Sequence, residues 1–244
     1  MNRTVLAVFL FGLPIAASAT AIIANCNGVV AVPVDNSASC GANVEFGDPQ
    51  FPQTAMVQAQ ASISFASSLS VFVDALESPG GNNNTGGAIF AESEVSGFVN
   101  VLVTGATGTG FIEACSSGNS DAGALAVVSF GGVSVLWDLE SQVGPGPCFG
   151  PFSASRQYAT PIVFGVPQVE PFSVQASAEL NGQGDAMLSG FELFDADGNP
   201  LSDVTLSITD ATPEPSAFFL CLAGLCVFCG AARLLSGGKS AESV

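Results

Sequence analysis

The 244-residue sequence has no histidine, one tryptophan, one tyrosine, and four lysines and arginines against 21 aspartates and glutamates. Without histidine, neither a Ser-His or Cys-His catalytic pair nor a histidine-based acid–base site can be assembled. Zinc sites combine cysteine with histidine or use closely spaced cysteine pairs, and residues 22–211 contain no Cys-x-x-Cys spacing. These absences exclude most nucleophilic catalysis and make zinc a poor interpretation of the cysteines.

Basic residues are scarcest in the central part of the chain. Only Arg156 lies between residues 22 and 211, whereas 19 of the acidic residues precede Thr212, so this part carries a formal charge of about −18. Nucleic acids and anionic membranes are both held through lysine and arginine. We therefore expect no nucleic-acid partner, and the simplest effect of the charge is solubility through self-repulsion.

Residues 1–21 have the three-part layout of a secretory signal peptide. Arg3 supplies a positive charge, residues 5–13 are apolar, and Ala17-Ser18-Ala19 or Ala19-Thr20-Ala21 offers a small-residue cleavage site. We expect this segment to be removed during export into an oxidising compartment.

The C-terminus carries a second candidate targeting segment. Pro213, Glu214 and Pro215 precede the uncharged residues 216–232, and Arg233 opens a short polar end over 233–244. A bilayer-spanning helix needs about 20 apolar residues, so this run is near the lower limit. A buried core helix is the alternative. Because basic residues follow the run, as they do on the inner side of a membrane, we interpret 216–232 as a transmembrane helix.

This combination resembles the PEP-CTERM sorting signal of exopolysaccharide-producing Gram-negative bacteria. Its Pro-Glu-Pro motif, hydrophobic helix and basic end occur in that order over residues 212–244. The family usually has several adjacent arginines, where this chain has Arg233 and, six residues on, Lys239. Segments 158–180 and 191–200 also resemble the closing strands of such proteins.

The resemblance implies a partner and a route. An exosortase, a membrane cysteine protease-transpeptidase, would recognise Pro213, Glu214, Pro215 and Arg233 and remove the tail during export. The precursor would be held transiently in the inner membrane by its C-terminal helix. The mature protein would then reside at the cell surface or outside the cell, among exopolysaccharide.

Four of the seven cysteines lie in the central part of the chain, namely Cys26, Cys40, Cys115 and Cys148. Four cysteines in an exported domain predict two disulfides, with three possible pairings. We expect Cys26–Cys40 and Cys115–Cys148, because each pair encloses a local loop rich in glycine or asparagine.

Apolar and polar residues alternate over 57–65, 172–180 and 204–208, which predicts half-buried strands. Apolar runs between Gly-, Pro- and Asn-rich turns predict further strands at 69–75, 88–104, 125–128, 133–139, 161–166 and 186–194. Eight to ten strands without an amphipathic helix predict an all-β fold for residues 22–211, specifically a jelly-roll-like β-sandwich.

Few residues are candidates for a catalytic or ligand-binding site. Glu92 with Glu94, and Asp138 with Glu140, are carboxylate pairs at i,i+2, which places each pair on one strand face. A solvated strand face explains the same pattern. Gly105-x-x-Gly108-x-Gly110 has the wrong order for a dinucleotide fingerprint and predicts a loop.

Asp195-x-Asp197-x-Asn199 begins like a calcium-binding loop. In an EF-hand the sixth and twelfth positions are glycine and glutamate, but here they are Pro200 and Leu206. A hairpin turn explains these residues without calcium, and a turn with a weak calcium site is the alternative.

Two functions follow from these observations. The first is a non-catalytic exported surface or matrix protein associated with exopolysaccharide or biofilm. The second is a carbohydrate-binding jelly-roll module, with calcium as an added ligand. Trp137 and Tyr158 could supply a sugar-stacking platform in the second case, although such residues more often belong to a sandwich core. We expect no enzymatic activity and no obligatory cofactor.

Overall fold

The computed structural model describes most of the central part of the chain. The residues described are 20–48, 50–65, 69–78, 89–121, 123–138, 156–179 and 182–211. A compact unit spans Ala19–Ala211. The predicted helix at 216–232 and the sorting motif lie outside the described residues, as does the predicted signal sequence up to residue 19. No helix within the described ranges is long and apolar enough to cross a membrane.

The described part of the chain contains thirteen strands and a single 3₁₀ turn, Arg156–Tyr158. The strands are β1 Ala21–Cys26, β2 Val29–Val30, β3 Ser37–Asp48, β4 Phe51–Ser64, β5 Ser70–Ser78, β6 Phe90–Thr104, β7 Thr109–Ser120, β8 Ala124–Phe130, β9 Val133–Trp137, β10 Ala159–Val163, β11 Gln168–Glu179, β12 Gln183–Asp195 and β13 Thr205–Asp210.

The strands form two antiparallel sheets that pack face to face. The seven-stranded sheet has the order β2-β1-β6-β11-β8-β9, with β13 also paired to β6, and the six-stranded sheet has the order β10-β7-β12-β5-β4-β3. The predicted all-β sandwich is therefore confirmed.

The core lies between the two sheets. In β5 every second residue is buried, and Val71, Val73 and Ala75 face the core. Val95 on β6 and Val174 on β11 are also completely buried and belong to the same cluster. Removing these alternate apolar faces from water is what holds the two sheets together.

Two-residue turns join β1 to β2 and precede β3. Asn27 and Gly28 have φ values of 51° and 88°, and Asp35 and Asn36 have 48° and 64°. Positive φ at both positions is the type I′ geometry that matches the twist of a hairpin, and Asn, Asp and Gly adopt it most readily.

All nine predicted strands overlap observed ones, although the predicted strand 161–166 runs three residues past the end of β10 at Val163. Four observed strands, β1, β2, β3 and β7, were not predicted. The predicted loop over Gly105–Gly110 is partly wrong, because Thr109 and Gly110 begin β7. Gly110 lies against the Phe194 carbonyl and the Phe164 ring, which leave no room for a Cβ. This glycine therefore marks a close contact within a strand rather than a flexible loop.

A disulfide links the two sheets at one edge of the sandwich. Cys26 of β1 is bonded to Cys40 of β3, with Cα atoms 6.0 Å apart, which confirms the first predicted pair. Cys115 is also in a disulfide. Its predicted partner, Cys148, lies outside the described residues, so that pairing stays a prediction.

Candidate functional site

A row of polar side chains crosses the outer face of the six-stranded sheet. Asp74 on β5 lies directly opposite Asp185 on β12. Asn119 continues the row on β7, and Gln60 and Ser39 continue it on β4 and β3. Side chains at such directly paired positions lie close enough to interact. We call these five residues the acidic row.

Of the two aspartates at the centre of the acidic row, Asp74 influences the ionisation of Asp185. The pKa of Asp185 is raised, first because the carboxyl is partly buried and second because the Asp74 carboxylate is close. A hydrogen bond with Asn119 opposes this shift. One oxygen of Asp74, Oδ1, is buried and has no hydrogen-bond partner within the described part of the chain.

Apolar side chains flank the acidic row. Phe72 and Leu76 are half-buried and precede and follow Asp74 by two residues on β5, so both share its face. Met187 lies opposite Phe72 and is 36% exposed. Carboxylate and amide groups beside an aromatic ring can bind a ligand with hydroxyl groups on one edge and C–H groups on its face.

The acidic row is not recognisable in the amino-acid sequence. Positions 60, 74, 119 and 185 are scattered along the chain, and only the strand register brings them together. The one local signal was the strand alternation that places Asp74 on the outer face of β5 and Asp185 on the outer face of β12.

The candidate calcium loop is a hydrogen-bonded turn after β12. Asp195 Oδ1 accepts the backbone N–H groups of Asp197 at 2.9 Å and Asn199 at 2.8 Å, while Oδ2 accepts Asn199 Nδ2 at 2.9 Å. These donors lower the pKa of Asp195, with the side chain of Asn199 contributing most. Both carboxylate oxygens thus already have protein donors, as in an Asx-turn.

No group of three or more acidic or cysteine side chains that could hold a metal ion occurs within the described ranges. The calcium prediction for Asp195, Asp197 and Asn199 therefore stays a prediction.

Within the described ranges, the other residues singled out from the sequence are not brought together in one site. Glu92 is exposed and Glu94 half-buried on the outer face of β6, and Glu140 lies outside the described residues. Trp137 is 2% exposed and lies in the core, where its ring packs against Gly118. Trp137 is thus part of the core and supplies no surface platform, while Tyr158 is half-buried.

Two further carboxylates, Glu77 and Glu113, are almost completely buried. Each interacts with other groups of the protein. Their burial was not predicted, because Glu77 lies beyond the end of the predicted strand 69–75 and Glu113 lies in β7, which was not predicted.

Comparison with known proteins supplies no relative from which to transfer a function. The chain has no significant match to a protein-family model, a curated protein or a solved structure.

Proposed function

We propose that the chain is an exported, non-catalytic surface or matrix protein whose C-terminal tail is a PEP-CTERM sorting signal processed by an exosortase. The sandwich is the exported body, and residues 1–21 and 212–244 direct its export. The mature protein resides among exopolysaccharide at the cell surface or outside the cell.

One observation carries this proposal: the compact unit lies between the two targeting segments and shares only residues 19–21 with them. The unit begins at Ala19 and ends at Ala211. Ala19 belongs to both candidate cleavage sites, and the Pro-Glu-Pro triplet begins two residues after Ala211. The disulfides are consistent with an oxidising destination.

The finer features of the proposal rest on the sequence pattern. We take residues 216–232 as a temporary transmembrane helix and the N-terminal residues, up to one of the two candidate cleavage sites within 1–21, as the signal peptide. The chain passes repeatedly between the two sheets from β5 to β8 and again from β11 to β13, which supports the jelly-roll-like description of the sandwich.

Sorting is tested by following the full chain in its host. In cells with an intact exosortase, we expect the protein to leave the membrane fraction. The protein with the double substitution Pro213→Ala and Pro215→Ala should stay in the membrane fraction as a larger precursor. Ser240→Ala, in the same tail, should behave like the unaltered chain. Release of the double variant at the normal rate would contradict exosortase sorting.

A second candidate function, carbohydrate binding, is favoured by the acidic row and the neighbouring Phe72. Polysaccharides offer the hydroxyl edges and C–H faces that this surface could contact. We expect the mature protein to bind the host exopolysaccharide in a saturable way, and Gln60→Ala to weaken that binding.

Gln175→Ala is the matched control, because Gln175 is equally exposed but lies on the seven-stranded sheet. Repeating the measurement with calcium and with EDTA tests the calcium loop. Absence of saturable binding under both conditions would contradict carbohydrate binding and leave only the non-catalytic structural role.

A further inference from the structure

Both ends of the sandwich lie on the same edge of one strand. β1 pairs with residues 91–96 of β6, and β13 pairs with residues 99–104, both antiparallel. The first strand therefore starts opposite Ser96, and the last strand ends opposite Val99. Only Gly97 and Phe98 separate them along β6. We call this meeting point the terminal seam.

Side chains and backbone join the two ends at the terminal seam. Ala211 donates its backbone N–H to the Phe98 carbonyl at 3.1 Å. Thr20 donates its hydroxyl to the carboxylate of Asp210, with an Oγ1–Oδ1 distance of 3.3 Å. The first described residue is thus hydrogen-bonded to the last residue of the last strand.

Thr20 packs closely against Gly97 at the terminal seam. A Cβ at position 97 would lie 3.0 Å from Thr20 Cα and 3.1 Å from its Oγ1. Because residue 97 is glycine, Thr20 can lie against β6. Ala21, the next residue, is paired with Ser96 in the ladder.

These contacts discriminate between the two candidate cleavage sites. Cleavage after Ala21 would remove Thr20 and Ala21, which are both parts of the folded edge. Cleavage after Ala19 would leave both in place. We propose that the signal peptide is removed between Ala19 and Thr20 and that the new α-ammonium group of Thr20 pairs with Asp210, which fastens the first strand to the last.

The step is a hydrolysis and rests on the export proposed above. A signal peptidase uses water to break the C–N bond between Ala19 and Thr20. The hydroxyl goes to the Ala19 carbonyl carbon, and Thr20 leaves as an amine that takes up a proton. An α-amino group has an ordinary pKa of about 7.7–8.0, and a neighbouring carboxylate favours its charged form.

The first test is N-terminal sequencing of the protein secreted from the full chain. We expect the mature chain to begin Thr20-Ala21-Ile22. Ala17→Leu should shift or block this cleavage, because it removes a small residue from the first site only. Ala21→Ile, which destroys only the second site, should leave the start at Thr20. A mature chain that begins at Ile22 would overturn the proposal while leaving export intact.

The second test measures the α-ammonium group itself. Lys239 is the only lysine, so once the tail is removed the Thr20 α-amine is the only primary amine. Asp210 holds it protonated, so we expect acylation near pH 7 to be up to about tenfold slower than in Asp210→Asn, as for a pKa difference of one unit.

Asp203→Asn is the matched control for this measurement, because it removes the same charge from an exposed loop position. It should react like the unaltered protein. Equal rates in all three proteins would overturn the pairing with Asp210. A chain that keeps both Met1 and Lys239 would instead contradict export and sorting themselves.

Discussion

Among single residues, Asp185 is one whose ionisation opposes folding. Its pKa lies above the ordinary 3.8 because of partial burial and the nearby Asp74. Between 3.8 and the raised value, the folded state binds more protons than the unfolded state, so this residue makes stability fall as pH rises. Above the raised pKa its destabilising effect is fully present.

Asp185→Asn should therefore stabilise the protein at pH 7 by a few tenths of a kcal/mol to about 1 kcal/mol, the range for partly solvated charge interactions. The gain should shrink as the pH is lowered through the raised pKa. Urea unfolding at several pH values measures it. Asp203→Asn, at an exposed loop position, controls for net charge. Equal effects of both substitutions would contradict the specific repulsion between Asp74 and Asp185.

Gly118 is a second residue whose role is set by a single contact. A Cβ at this position would lie 2.7 Å from two atoms of the Trp137 ring and 3.1 Å from the Asp185 carbonyl. Gly118→Ala should therefore destabilise the protein by about 1–3 kcal/mol, as overpacking does.

Gly190→Ala is the matched control, because nothing lies within 4 Å of its Cβ position. Thermal unfolding of the two variants compares them directly. A Gly118→Ala protein as stable as Gly190→Ala would show that Trp137 moves aside at little cost.

At the scale of strands, the link between β1 and β3 is covalent. The Cys26–Cys40 disulfide closes a short loop, with a sequence separation of 14. Loops of this size contribute about 3 kcal/mol, chiefly by restricting the unfolded chain. Replacing both cysteines by alanine should lower the free energy of unfolding by about that amount in urea denaturation. A loss below about 1 kcal/mol would mean that strand pairing alone holds this edge.

Strands could be predicted from the sequence where one face is buried and the other solvated. β4 and β11 show this alternation, and both were predicted. β7 was not predicted. Residues 112–116 are all buried, so apolar and polar residues do not alternate along this strand. β3 was missed because its first seven residues, 37–43, are small or polar and show no clear alternation. Asn27-Gly28 is a recognisable hairpin signal that would have identified β1 and β2.

At the scale of the whole molecule, the candidate sites depend on strand order, which local sequence does not encode. The acidic row needs β4, β5, β12 and β7 to be adjacent, and the terminal seam needs β1 and β13 to share one edge of β6. The sequence could place the ends of the domain near residues 22 and 211, but it could not show that they meet. The first Cys pair was predictable because it encloses a short local loop.

We propose that the sandwich is exported and then released by removal of its C-terminal tail. The most direct measurement is the intact mass of the protein recovered from its host, with and without a functional exosortase. We predict a mature chain that ends near Pro213 when the exosortase is present and a chain that keeps residues through Val244 when it is absent. A chain that reaches Val244 in both cases, or one shortened equally in both, would contradict the proposal.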